Sequence, residues 1–241
     1  MTDLYQELKL KAMKQFEDLD LLSRMVRIHA RALSTEEAIG NPDADDFPLQ
    51  KGKERLMQAD FLGSVGQAFT DRYGDFEGTL EEVFQMELKN NFRRAIFVAS
   101  LNAGLRHTGQ IGQTVHCRDQ EPNQCAAELT RHLKARLGKA RIAQVGFQPR
   151  MVEALSQEFP LRVLDLDPEN IGSSKFHTLI EGPENTDQAV EWADLLLVTG
   201  TTLVNGTIGR FLINKEILFY GTTISGAAHL MGWDRFCDQA K

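Results

Sequence analysis

The chain has 241 residues, with 27 Lys and Arg against 34 Asp and Glu for a formal net charge of −7. That acidic balance, with no Lys/Arg run longer than two, argues against a phosphate backbone as the main partner, since nucleic-acid binders display a basic face. No stretch approaches the ~18 apolar residues that span a bilayer. The polar N-terminus does not read as a signal peptide, and three cysteines, an odd number, suit a reducing cytoplasm rather than a disulfide framework. Nucleic acid and membrane are therefore not expected partners, and the cytoplasm is the expected compartment.

In chain order, residues 2–19 read as an amphipathic helix. Residues 25–32 (MVRIHARA) alternate apolar and polar, the period-two signature of a half-buried strand. Residues 41–53 read as a loop, 55–62 and 66–71 as strands, and 79–88 and 91–106 as helices, with a further helix opened by Pro122. This half, 1–137, is an α+β arrangement. After Gly138 the order alternates strictly. Strands are expected at 141–146, 161–166, 194–198 and 216–220, and helices at 150–159, 187–192, 203–212 and after Thr223. Near-continuous apolar runs such as LLLV and ILFY are what parallel strands buried on both faces require. The fold class read here is thus α/β, an α+β domain (1–137) followed by a small Rossmann-like, doubly wound parallel-sheet domain (138–241).

Ligands of open α/β sheets bind beyond the carboxyl ends of the strands. The first such end carries Gly146 and Pro149 but no GxGxxG, so a standard dinucleotide site is poorly supported. The second carries Asp165, Asp167 and Asn170, where an acid would meet a ribose hydroxyl or simply cap a turn. The third and fourth repeat a pattern: Gly200-Thr201-Thr202 and Gly221-Thr222-Thr223 each start a helix. There, N–H groups and hydroxyls either hold a ligand's anionic oxygens or serve only as caps. Asn205-Gly206 stands just inside a predicted helix, where glycine costs ~1 kcal/mol.

The first half contributes TVHCRDQEPNQC at 114–125. His116, Cys117 and Glu121 are ligand types for a transition metal, the cofactor this cluster would take, and His116 and Glu121 are also acid/base candidates. The spacing is not that of a zinc finger, and a capped loop is the alternative. Cys125 falls on a core stripe with Leu129 and Leu133, and Cys237 reads as packing.

Six motifs in one order carry a resemblance: NAGLRHTG at 102–109, TVHCRDQEP at 114–122, VGFQPRMVEAL at 145–155, DLDPENIG at 165–172, VTGTTLVNGT at 198–207 and FYGTTISGAAHLMGWDRFC at 219–237. Through them the chain resembles the heavy-metal chelation domain family of bacteria and archaea, a group of unknown function. The resemblance implies an N-terminal part similar to the N-terminal domain of enolase, a Rossmann-like C-terminal part, and a site in the cleft between them. The expected function is binding or processing of a metal ion or an anionic, metal-chelating small molecule in that cleft. The rivals are a transferase using S-adenosylmethionine or a nucleotide, and a non-catalytic binding or scaffold protein. A homodimer is the default assembly.

Overall fold

The computed structural model describes residues 4–29 and 54–241. The predicted loop at 41–53 and the last three residues of the first predicted strand, 30–32, lie outside them.

Helix α1 (Leu4–Glu17) buries Leu8, Ala12 and Phe16, one stripe at the helical period. Strands β1 (Met25–His29), β2 (Arg55–Phe61), β3 (Ser64–Thr70) and β4 (Phe76–Thr79) form an antiparallel sheet in the order β3-β2-β1-β4. The β2–β3 hairpin turns on Leu62 and Gly63, both at positive φ (52° and 79°), the two-residue geometry that matches strand twist. Thr79 and Glu82 then form a reciprocal capping box that starts α2 (Leu80–Gln85).

Helix α3 (Asn91–His107) is buried continuously from Ala95 to Leu105, because it is covered on both sides. One side lies on β2 and β3, so closely that a Cβ on Gly66 would stand 2.2 Å from the Ala103 nitrogen. The opposite side meets two short helices of the second half, α7 (Thr201–Asn205) and α8 (Ser225–Met231). Helix α4 (Glu121–Leu137) follows, with Pro122 in its first turn and Gly138 (φ 65°) at its end.

The second sheet contains β5 (Ile142–Val145), β6 (Leu161–Leu164), β7 (Ser174–Lys175), β8 (Thr178–Glu181), β9 (Leu195–Thr199), β10 (Glu216–Tyr220) and β11 (Arg235–Phe236). Their order is β11-β10-β9-β5-β6-β8-β7, all neighbours parallel except β7 with β8. The chain moves outward from β5 to β6 and β8, then returns to the other side of β5 for β9 and β10. The switch of direction therefore falls between β5 and β9, where doubly wound sheets bind ligands. Helices α5 (Pro149–Ser156) and α6 (Thr186–Trp192) complete the crossovers.

Alternate residues of the central strands feed two cores. Ala143, Val145, Leu196, Val198 and Phe219 join the core built on α1 and α3. Ile142, Leu195, Leu197, Leu218 and Tyr220 pack with Leu129 and Leu133 of α4 and Leu155 of α5. The fold is thus two α/β units, one on an antiparallel and one on a mostly parallel sheet.

Some elements differ from the sequence reading. Strands β4, β7, β8 and β11 were not expected; each has four residues or fewer, too short for a period to register. The predicted helix at 203–212 is instead α7 followed by a separate 3₁₀ turn at Ile208–Arg210. Gly206 (φ 83°) is the left-handed residue that ends α7, so it does not interrupt a helix.

Candidate functional site

A cavity of about 430 Å³ opens at the carboxyl ends of β5, β6, β9 and β10. It is closed from the opposite side by the ends of β2 and β3, the start of α3 and the loop before α4. It therefore lies between the two units and over the switch point, and it is large enough for a metabolite.

Gly146 (φ 93°) makes the turn after β5, and a Cβ there would stand 2.8 Å from Thr199 Cγ2 and 3.0 Å from Tyr220 Oη. Asp165 secures this turn: its Oδ2 accepts the Phe147 N–H (2.6 Å) and its Oδ1 the Asp167 N–H (2.7 Å). Asp167 in turn accepts the Glu169 N–H at 3.0 Å. Tyr220 donates its hydroxyl to the Val145 and Gly146 carbonyls, and burial pushes its ionisation upward.

The two Gly-Thr-Thr loops line the cavity at Gly200, Thr201, Thr202, Gly221 and Thr223. Their hydroxyls are largely engaged. Thr202 donates to the Thr199 carbonyl (2.7 Å), Thr201 donates to Thr199 Oγ1 (3.2 Å), and Thr223 Oγ1 accepts the Phe69 N–H (3.1 Å). Thr222 is buried and does not line the cavity. Asn205 also faces the cavity, with its carbonyl oxygen held by both the N–H and the hydroxyl of Thr207.

On the opposite wall, the segment before α4 lies along the free edge of β3. Gln67 N–H donates to the Thr114 carbonyl (3.1 Å), and Gln67 Oε1 accepts the His116 N–H (2.7 Å). This fixes the His116 ring edge-on to Phe69, with centroids 5.1 Å apart. Its Nδ1 is sealed from solvent and has no hydrogen-bond partner among the described residues. Burial pushes this imidazole down to about 4, so it is neutral at physiological pH.

Cys117, Cys125 and Cys237 all line this wall. Burial pushes all three thiols upward, Cys125 to about 11, and the charge of Cys237 further disfavours ionisation of Cys117 and Cys125. These are protonated, weakly nucleophilic thiols. Cys125 is also part of the core, as the helical stripe predicts. Glu121 stands apart from the cavity. Its Oε2 accepts the Arg118 N–H (2.7 Å) and its Oε1 meets Lys241 Nζ (2.9 Å), contacts that hold its carboxyl below the usual range.

The structure therefore brings His116, Cys117, Gly146, Asp165, Asp167, Asn170, Gly200, Thr201, Thr202, Asn205, Gly221 and Thr223 to one cavity and leaves Glu121 and Thr222 outside its lining. Sequence reasoning missed Glu54, Asp71 and Asn91, which the antiparallel unit contributes from just before β2, just after β3 and the first position of α3. The only available signal was their place at strand and helix ends. Glu54 is pushed up to about 7, first by burial and then by the negative charges of Asp165, Asp71 and Asp167. Asp71 accepts from Asn91 Nδ2 at 2.7 Å.

A protein-built transition-metal centre needs three or four converging donors. Among the described residues, no group of three or more His, Cys, Asp or Glu is placed to hold a metal ion. The donor set does not form such a centre by itself. No helix among these residues is long and apolar enough to cross a membrane.

The molecule is thus a two-unit α/β protein with a metabolite-sized cavity over a Rossmann-type switch point. Residues 130–221 match the model of the DUF364 family, described as "Putative heavy-metal chelation", so the resemblance read from the motifs is found over that stretch. Among solved structures, the chain is similar to a DUF364 protein of unknown function from Pyrococcus horikoshii. The identity is 17%, the TM-score 0.55, and the coverage 92% of this chain and 80% of that one. It is also similar to a DUF364 protein of unknown function from Desulfitobacterium hafniense DCB-2, at 15% identity and a TM-score of 0.52 over 73% of this chain and 72% of that one. At these identities the likeness is one of fold. No curated protein matches the sequence.

Proposed function

We propose that the chain binds or processes a small metal-chelating molecule in the cavity between its two units. The observation that carries this reading is the cavity of about 430 Å³ over the switch point, to which both units bring polar side chains, His116, Cys117, Asp167 and Asn205 among them. Because no three donors converge among the described residues, a metal would enter already chelated, with His116 and Cys117 adding at most two donors.

The transferase reading is weaker, because both oxygens of Asp165 and one oxygen of Asp167 already accept backbone N–H groups, which leaves a ribose hydroxyl a single carboxylate oxygen at this strand end. The test is mass spectrometry of the denatured supernatant, with metal analysis, on protein purified without chelators or a histidine tag. A stoichiometric small molecule, reduced at least tenfold in His116→Ala, is the expected result. A wild-type protein free of both metal and small molecule, with no stabilisation by any of a panel of chelators, would overturn it.

A further inference from the structure

We propose that the ligand of this cavity is an aromatic chelator, a planar ring system with its donor groups on one edge, whose ring lies on an apolar stripe running across the strand ends from Phe236 to Leu166. This rests on the reading of the cavity as the site of a metal-chelating molecule and names the chemical class of that molecule.

The stripe is continuous, and each of its residues lines the cavity. Tyr220 and Phe236 are register partners at the ends of the parallel strands β10 and β11, so their side chains leave the same face of the sheet. Met151 of α5 and Cys125 of α4 pack in one cluster with Tyr220, and Phe236 packs against it. Phe147 stands two residues before α5. Asp165 holds the Phe147 N–H and the Asp167 N–H at once, which sets the loop of Leu166 beside Phe147. At this end Leu166 is 54% exposed, apolar surface on the cavity that a ligand would remove from water.

The stripe suits a ring better than a charged or strongly hydrated group. It is built from three aromatic rings, Phe147, Tyr220 and Phe236, with the sulfur of Met151 and the protonated thiol of Cys125 between them in sequence and in packing. A charge laid on such a wall loses its hydration without a partner. A ring gains edge and face contacts with the aromatic residues and with sulfur. The polar side chains of the lining, His116 and Asn205 among them, come from other elements, the segment before α4 and α7. An apolar lining with few polar groups fixes a ligand that has one apolar face and one polar edge, which is the form of an aromatic chelator.

The experiment is isothermal titration calorimetry of the full chain with four hydroxycarboxylates that share donor atoms and charge: lactate, 2-hydroxyoctanoate, salicylate and 3-hydroxy-2-naphthoate, each alone and with equimolar zinc. The expected result is saturable binding of the two aromatic compounds, the naphthoate roughly tenfold tighter than salicylate. Naphthoate binding is expected to weaken at least fivefold in Phe236→Ala or Leu166→Asn, which change the two ends of the stripe; the exposure of Leu166 lets the second variant keep its core. Lactate binding as tightly as the naphthoate overturns the aromatic assignment and leaves the chelator reading intact. 2-Hydroxyoctanoate binding as tightly marks a general apolar surface and overturns it too, as does naphthoate binding unchanged in both variants. Binding of none of the four overturns the aromatic assignment, and the mass spectrometry described above decides the chelator reading separately.

Discussion

The Oδ1 of Asn102, in the middle of α3, accepts the Gly226 N–H at 2.7 Å, while its Nδ2 donates to the Gln67 carbonyl at 2.9 Å. One fully buried amide thus fastens β3 of the antiparallel unit to the start of α8 in the Rossmann-type unit. Its Nδ2 also lies within 3.2–3.3 Å of the Thr222 and Thr223 carbonyls, so it holds the second Gly-Thr-Thr loop in place. Asn102→Ala strands these groups in the interior. A loss of roughly 2–4 kcal/mol is expected, read as a Tm lower by about 5–10 °C and as faster amide exchange at Gly226.

Two glycines with positive φ separate strain from crowding. Gly109 (φ 72°) has nothing within 4 Å of an added Cβ, so Gly109→Ala carries only the left-handed backbone cost, ~1–2 kcal/mol. Gly146 (φ 93°) would carry that cost and also press Thr199 and Tyr220 apart. Gly146→Ala is expected to lose at least ~1 kcal/mol more than Gly109→Ala in denaturant titrations. Equal losses would mean that the switch-point turn has room to yield.

The contrast between Gly146 and Glu54 shows what could be read from the residues alone. Gly146, Asp165 and the Gly-Thr-Thr repeats were legible because a parallel sheet directs its ligands to strand ends, and apolar runs reveal the strands. Glu54, Asp71 and Asn91 were not legible. Their role depends on α3 being sandwiched between the units, which brings the ends of β2 and β3 over the second sheet. No local period encodes that tertiary relation. Gly206 was misread for a different reason: the apolar pattern continues past it, and only its left-handed φ shows that the helix has ended.

Asp165 is expected to act through the backbone it holds. Its two charge-assisted hydrogen bonds reach opposite sides of the first loop crossing, to Phe147 and to Asp167. In Asp165→Asn the side chain keeps one acceptor and presents a donor to an N–H. A cost of about 1–3 kcal/mol is expected, with loss of exchange protection confined to the Phe147 and Asp167 amides. If both amides stay protected, the loops are held by other contacts.

Glu54 and His116 give the stability of the molecule two opposing pH slopes. The folded Glu54 carboxyl, near 7, lies above its ordinary 4.5, so the folded chain holds this proton more tightly than the unfolded chain. Its contribution is fully present below 4.5 and is lost as pH rises through 7. His116 is the reverse: near 4 when folded against 6.5 when free, it contributes above 6.5 and loses that contribution as pH falls through 4. Between about 4.5 and 6.5 the two partly cancel, which flattens the stability profile. Glu54→Gln removes one slope. The variant should be more stable than the parent at pH 8 by on the order of 1–3 kcal/mol, and its stability should fall as pH drops from 6.5 to 4. Urea titrations of both proteins at pH 4.5, 6 and 8 measure the difference. A variant that runs parallel to the parent at all three values would show that the Glu54 carboxyl is solvated and carries no raised proton affinity.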